Sequence, residues 1–366
     1  MRISTWPRRG LVTTATLGLA IATAALSLSI TGIAGASEPS GDVASTEVEF
    51  SVVTSNNSGL PCATTPGNER AVVRGHLTGP RSEIDSSHVK GTLYSHGDGY
   101  AEYFWRYPGD GDYNYVDEMA RRGHVSVSID RLGYGASDKP NGNSLCFGVE
   151  ADVLHQIVGQ LRQGSYKGDR TPRFDRVGLV GHSASGLIAD QEVAAFHDVD
   201  ALGVLDSGSL NATPLVLQRA AEQQARCALA PDAAAALLNP RSPAGYAALE
   251  ADGAQFSSDH IANVEPDIAR DLVDRRTKDA CAGTRNSAQA LAGNPVRNNL
   301  ITVPVLVLAG AQDRLFPNPG LHAATYTHSS HVTVREVRDA GHAVAFARTA
   351  PDFHNDMDNW LDSTGL

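Results

Sequence analysis

The run Val177-Gly178-Leu179-Val180-Gly181-His182-Ser183-Ala184-Ser185-Gly186 constrains this chain more than any other: apolar residues meet a glycine, present one serine, and restart in helix-forming residues. A strand that ends at Gly181 and a helix that begins after Ser183 leave the serine on a sharp turn, a nucleophile elbow. A serine hydroxyl is a poor nucleophile by itself. It needs a histidine within reach and helix-end amides facing the oxyanion that forms. The segment therefore predicts an acid and then a histidine further along, each just past a strand, and both occur in that order.

The surroundings of the elbow predict a parallel sheet. Val89-Lys90-Gly91-Thr92-Leu93-Tyr94, Val125-Ser126-Val127-Ser128-Ile129-Asp130, Ala201-Leu202-Gly203-Val204-Leu205 and Val303-Pro304-Val305-Leu306-Val307-Leu308 are short runs, several of them strongly apolar, and helical stretches separate most of them. Strand and helix in alternation mean right-handed crossovers and a sheet covered on both faces. Upstream, Val48 to Val52 and Ala71 to Leu77 alternate instead, which predicts antiparallel edge strands. The alternation of strand and helix stops after Leu205. Ala-, Arg- and Gln-rich helical segments, such as Leu215 to Ala230 and Ile268 to Asp279, fill the gap before it resumes with Val332 to Val337 and a last helix near Asp352 to Leu361. The fold class read from this is α/β, a mostly parallel central sheet with helices on both faces plus an inserted helical cap. Its expected parts are a core at 47–208 and 301–366 and a cap at 209–300.

Asp313 follows the strand ending at Gly310, and His342 follows the strand ending at Val337. In an open parallel sheet these strand ends share the elbow's edge, where ligands bind. Ser183, Asp313 and His342 are thus the expected catalytic residues: the serine attacks, the histidine moves its proton, and the aspartate holds the imidazole. Asp206, after Leu205, is an alternative acid. His96 and His182 flank the site, and packing or loop hydrogen bonds are the ordinary use of such residues. Tyr100, Tyr103, Phe104 and Trp105 read either as an acyl pocket or as core.

The order Ser183, Asp313, His342, the elbow itself, and the run Asp130-Arg131-Leu132-Gly133-Tyr134-Gly135-Ala136-Ser137-Asp138-Lys139-Pro140 closely resemble the α/β-hydrolase superfamily over roughly residues 89–361. The resemblance implies that the loop Ser95-His96-Gly97-Asp98-Gly99 supplies one oxyanion-hole amide. That amide is Asp98 N–H, or Gly99 N–H if the Asp98 carboxylate does not point away, and Ala184 N–H is the second. Ser185 stands where the superfamily's G-x-S-x-G pattern has glycine. The Asp130 to Pro140 run is similar to one found in epoxide hydrolases and haloalkane dehalogenases, which carry an aspartate at the elbow; Ser183 points to acyl transfer instead.

Residues 1–36 read as a signal peptide, with Arg8-Arg9 ahead of an apolar stretch and Ala34-Gly35-Ala36 as the cleavage site, by the general or the twin-arginine route. The expected location is extracellular, with no stable membrane span once the leader is removed; retention as an anchor is the competing reading. Residues 37–46 have linker composition. The chain of 366 residues carries a formal charge of -11, and the leader holds three arginines and no acid, so the mature protein is more acidic still. That excludes nucleic acid as a partner. Cys62, Cys146, Cys227 and Cys281 form an even set without a zinc spacing, so disulfides are expected in an exported protein. Of three possible pairings, Cys62 with Cys146 and Cys227 with Cys281 is preferred, because the second then closes within the insertion.

No metal and no cofactor is expected. The function read from these residues is a secreted serine hydrolase that cleaves a small-molecule carboxylic ester through an acyl-enzyme. Alternatives on the same triad are a proline-releasing or other peptidase, a thioesterase or a lactonase. A non-catalytic ligand-binding member of the fold is the alternative of another class. The oligomeric state is not legible.

Overall fold

The computed structural model describes residues 42–109, 111–229 and 243–366. The expected signal peptide and the first half of the expected linker, 37–41, lie outside the described residues. The linker's last part is corrected. β1 (Val43–Val53) begins inside it and pairs in antiparallel register with β2 (Arg70–Pro80), from Val43 against Pro80 to Val53 against Arg70. A partner strand of equal length satisfies the backbone of residues that look like linker by composition.

Among the described residues one sheet of nine strands carries the molecule, in the order β11-β10-β7-β6-β3-β4-β2-β1-β5. Its strands are β3 (His88–Ser95), β4 (Ser126–Asp130), β5 (Lys167–Gly168), β6 (Arg173–His182), β7 (Ala201–Leu205), β10 (Val305–Gly310) and β11 (Val332–Val337), with β1 and β2. β3, β4, β6, β7, β10 and β11 run parallel, and β2, β1 and β5 are antiparallel additions. Every residue of β4, β7 and β10 is buried. This is why β7 and β10 read as unbroken apolar runs in sequence: covered on both faces, they have no polar side, whereas β4 keeps Ser126, Ser128 and Asp130 buried on one of its faces. β11, at the edge, is half exposed.

Helices α1 (Arg81–Ile84), α2 (Tyr115–Arg121), α3 (Phe147–Gln163) and α4 (Ala184–Phe196) link the first strands, and α9 (Pro319–Ala323) and α10 (Ala350–Thr364) the last. Between β7 and β10 come α5 (Pro214–Cys227), α6 (Gly253–His260), α7 (Pro266–Arg275) and α8 (Cys281–Arg297). Proline opens α5 and α7, where its missing N–H has no helical partner to lose. The insertion is not purely helical, which corrects that part of the expectation. β8 (Tyr246–Ala247) and β9 (Asp279–Ala280) form a small antiparallel pair within it. Cys62–Cys146 and Cys227–Cys281 are both disulfides, and the second lies within the insertion. Among the described residues no helix is long and apolar enough to cross a membrane.

Candidate active site

Ser183 sits between the last residue of β6 and the first of α4 with φ 54° and ψ -123°. This is a backbone conformation that side chains seldom adopt, and the elbow holds it by bonding Ser183 N–H to the Leu205 carbonyl at 2.9 Å. Gly181 is required for a steric reason. A Cβ there would come within 2.2 Å of the Ser185 carbonyl oxygen. The departure at Ser185 fits the same turn, because its hydroxyl donates to the His96 carbonyl at 2.6 Å and lies 2.9 Å from the Ser95 hydroxyl.

The structure brings the three expected catalytic residues together. His342 Nε2 is 2.8 Å from Ser183 Oγ, and His342 Nδ1 is 3.0 Å from Asp313 Oδ2. Asp313 Oδ1 accepts the N–H groups of Leu315 at 2.7 Å and Phe316 at 3.1 Å, which fixes its orientation. All three side chains are buried, with 7 % of Ser183 left open. Asp206 is nearby but makes no hydrogen bond to His342; its Oδ1 accepts Gly310 N–H at 2.7 Å. His182 anchors the histidine loop, donating from Nε2 to the His342 carbonyl at 2.9 Å while its ring stacks on Phe104. Burial, then the neighbouring His342, push its pKa well below the ordinary value, so the ring is neutral.

The loop after β3 approaches the elbow so closely that a Cβ at Gly97 would lie 2.6 Å from Ser183 Cβ. The Asp98 carboxylate is tied to Arg131 at 3.0 Å and Tyr134 at 3.1 Å. Arg131 also holds Glu150, whose carboxyl burial pushes up to about 7. The backbone N–H groups of Asp98 and Ala184 donate to no partner among the described residues. Gly99 is a correction: its N–H donates to Asp279 Oδ1 at 2.6 Å and is not free for an oxyanion. His96 bonds to the Gly97 carbonyl of its own loop and accepts the N–H of Arg131 from the loop after β4.

A cleft opens at Ser183, with Phe147, Leu187, Val216, Leu249, Leu315 and Phe316 as its apolar wall. Tyr100, Phe104 and Trp105 are fully buried and do not line it. They are core, clustered under His182. Several residues at the site carry no sequence signal. His260 packs edge-on against the His342 ring, bonded to Glu250 at 2.9 Å and Tyr100 at 3.0 Å, and Phe316 lies over the other side of that ring. Asp279 and Val216 likewise become site residues only once the insertion folds.

Residues 93–353 match the model of an alpha/beta hydrolase family. No curated protein matches the chain in sequence. Among solved structures, a thermophilic esterase from Thermogutta terrifontis is 18% identical with a TM-score of 0.55, covering 84% of this chain and 99% of its own. A monoacylglycerol lipase from Paleococcus ferrophilus is 15% identical with a TM-score of 0.52, covering 75% and 94%. Est1E from Butyrivibrio proteoclasticus, with ferulic acid bound, is 13% identical with a TM-score of 0.50, covering 80% and 96%. At these identities the likeness is one of fold. With the family match spanning most of its length, the chain belongs to the alpha/beta hydrolase family.

Proposed function

We propose that the protein is an exported serine hydrolase that cleaves a small carboxylic ester through an acyl-enzyme intermediate. The observation that carries this reading is the continuous relay from Ser183 Oγ through the two nitrogens of His342 to Asp313. Ser183 Oγ attacks the carbonyl carbon as His342 Nε2 takes its proton, and Asp313 holds the Nδ1–H of the resulting imidazolium. The N–H groups of Asp98 and Ala184 receive the oxyanion. Collapse of the tetrahedral intermediate expels the alcohol, which takes the proton from Nε2. Water then repeats the sequence and releases the acid.

The insertion acts as a cap that shapes the acyl pocket and keeps water from the acyl-enzyme. Two disulfides and the leader read in the sequence support export. The acids of the insertion do not favour a peptidase that grips a free amino terminus. Glu250 is bonded to His260, Asp259 to Arg219, Glu265 to Arg348 and Asp271 to Arg275. Asp98, the one acid lining the cleft, is bonded to Arg131.

The test is labelling with a serine-directed phosphonate, followed by a screen of nitrophenyl esters of graded chain length beside aminoacyl anilides. The expected result is one adduct, on Ser183, and ester turnover that falls about 10⁶-fold in kcat in Ser183→Ala. Unchanged turnover in that variant would reject the mechanism, and no adduct in folded protein would favour a ligand-binding member of the fold.

A further inference from the structure

Asp206 and Asp313 read as rivals in the sequence, and the sheet makes them neighbours. β7 and β10 are parallel partners, with Leu205 beside Leu308, so acids just past each strand end emerge side by side. An oxygen of Asp206, an oxygen of Asp313 and a ring nitrogen of His342 all lie within 4.8 Å of one another. Asp206 and His342 are wholly buried and Asp313 is 4 % exposed. Water cannot screen two carboxylate charges in such a place, and one of them must hold a proton.

Hydrogen bonding decides which. Asp313 accepts two backbone N–H groups and faces the Nδ1 of His342, so each of its oxygens has a hydrogen-bond partner. Asp206 Oδ1 accepts the Gly310 N–H, the Val344 N–H lies close by, and Oδ2 is buried with no hydrogen-bond partner among the described residues and no cation beside it. The titratable groups around it offer no relief. His182 Nε2 stands 3.9 Å from Oδ2 and directs its own proton to the His342 carbonyl, and Tyr100 is buried and bonded to His260. Glu250, an acid of the insertion, pairs with His260. No Lys or Arg forms an ion pair with Asp206 or Asp313 among the described residues.

We propose that Asp206 and Asp313 form one proton-sharing acid pair behind His342, in which Asp206 is a positioning residue that also takes over the orienting role when Asp313 is lost. The proposal rests on the triad reading above. Burial, and after it the charge of Asp313, push the Asp206 carboxyl well above the ordinary range, in keeping with the proton on Asp206. A protonated Oδ2 donates to Asp313 and fixes the carboxylate that faces the imidazole. Once Asp313 is neutral, its charge no longer opposes ionisation of Asp206, and a second carboxylate is already within reach of the ring.

The experiment compares wild type, Asp206→Asn, Asp313→Asn and the double variant, with Ser183→Ala as the floor, by kcat and KM on a nitrophenyl ester across pH. Asp206 has φ 45°, a conformation asparagine tolerates, and an asparagine amide can accept from Gly310 and donate to Asp313, so the fold is kept. Thermal unfolding checks this. Asp206→Asn is expected to lose about threefold in kcat and Asp313→Asn about a hundredfold, against about 10⁴ for a lone orienting carboxylate, with KM unchanged. The double variant falls to about 10⁴-fold or lower. In Asp313→Asn alone, the residual rate climbs with pH above the usual carboxylate range, as Asp206 ionises. If Asp313→Asn is as slow as the double variant at every pH, or if Asp206→Asn loses as much as Asp313→Asn, the pair is overturned. Should the Asp206 variants unfold, a flat pH profile of Asp313→Asn decides against it. Turnover retained in Ser183→Ala would instead break the triad reading itself, whatever the pair does.

Discussion

The strand ends that carry Ser183, Asp313 and His342 and the insertion that faces them are held by different mixtures of forces. β4, β7 and β10 are buried along their whole length, and α4 packs against β6, β7 and α3 with most of its residues buried. Apolar area removed from water does this at about 25 cal/mol per Å². The insertion shares that packing through Phe256 and Leu272 and adds a set of polar bonds of its own. Arg219 reaches Asp259, Gln223 bridges the Ala247 carbonyl and the Thr284 hydroxyl, Arg226 donates to the Ala248 and Leu249 carbonyls, and Cys227 is bonded to Cys281. The difference teaches a division of tasks. The sheet holds chemistry at fixed positions through close packing, while the insertion sets pocket shape through bonds that can be rewritten one at a time.

If that division is correct, changes on the sheet edge should alter rate without altering substrate ranking. His342→Ala is expected to lower kcat by about 10⁴ to 10⁶ on every ester alike, with the unfolding temperature nearly unchanged. A variant whose ranking of acyl chain lengths shifted would break the comparison.

The two disulfides sharpen it. Their sequence separations are 54 for Cys227–Cys281 and 84 for Cys62–Cys146, so loop closure makes the loss of either cost about 4 kcal/mol. Cys227→Ser with Cys281→Ser should also raise KM, because α5 and α8 frame the cleft. Cys62→Ser with Cys146→Ser, which meets the cleft only through the neighbouring Phe147, should raise KM less. Denaturant unfolding and steady-state kinetics on both variants test this, and equal KM values would remove the distinction.

In the core, His354 shows what apolar packing does to a titratable group. It is buried against Tyr115 and Phe353 with Nε2 unpartnered, and burial pushes its pKa down to about 4. The folded value lies below the unfolded 6.5, so the unfolded chain binds the proton first. Stability is therefore full above about pH 6.5 and falls as pH drops toward 4, by on the order of 3 kcal/mol. His354→Gln should flatten that slope, as read from unfolding free energies across this range. An unchanged slope would place the acid sensitivity elsewhere.

The smallest effect concerns the wall of the cleft. Val216→Trp, from the insertion, should shift preference toward shorter acyl chains by about 1–3 kcal/mol in kcat/KM while leaving the shortest ester nearly untouched. A uniform loss across chain lengths would mean that the insertion supports the chemistry as well as the shape.

How much of this was legible depended on whether the residues carried a local pattern. The sheet strands were readable because strands covered on both faces must be apolar runs, and Ser183, Asp313 and His342 because each follows such a run directly. β1 was cut short in sequence because Val43-Ala44-Ser45-Thr46 lacks an alternating pattern, and only its pairing with Gly79 and its neighbours makes it a strand. β8 and β9 are two residues each, too short to have a period. Gly99 looked as good an oxyanion donor as Asp98 until Asp279, 180 positions away, claimed its N–H.

The amino-acid sequence by itself determined the fold class, the order of Ser183, Asp313 and His342 at successive strand ends, and the acidic character of the chain, since these rest on periodicity, turn chemistry and composition. Tertiary structure alone decided which amides stay free, how His182 and His260 hold the imidazole, and that Asp206 and Asp313 meet. Those are contacts between residues distant along the chain, and their distances follow from strand order and packing, which no local run of residues encodes.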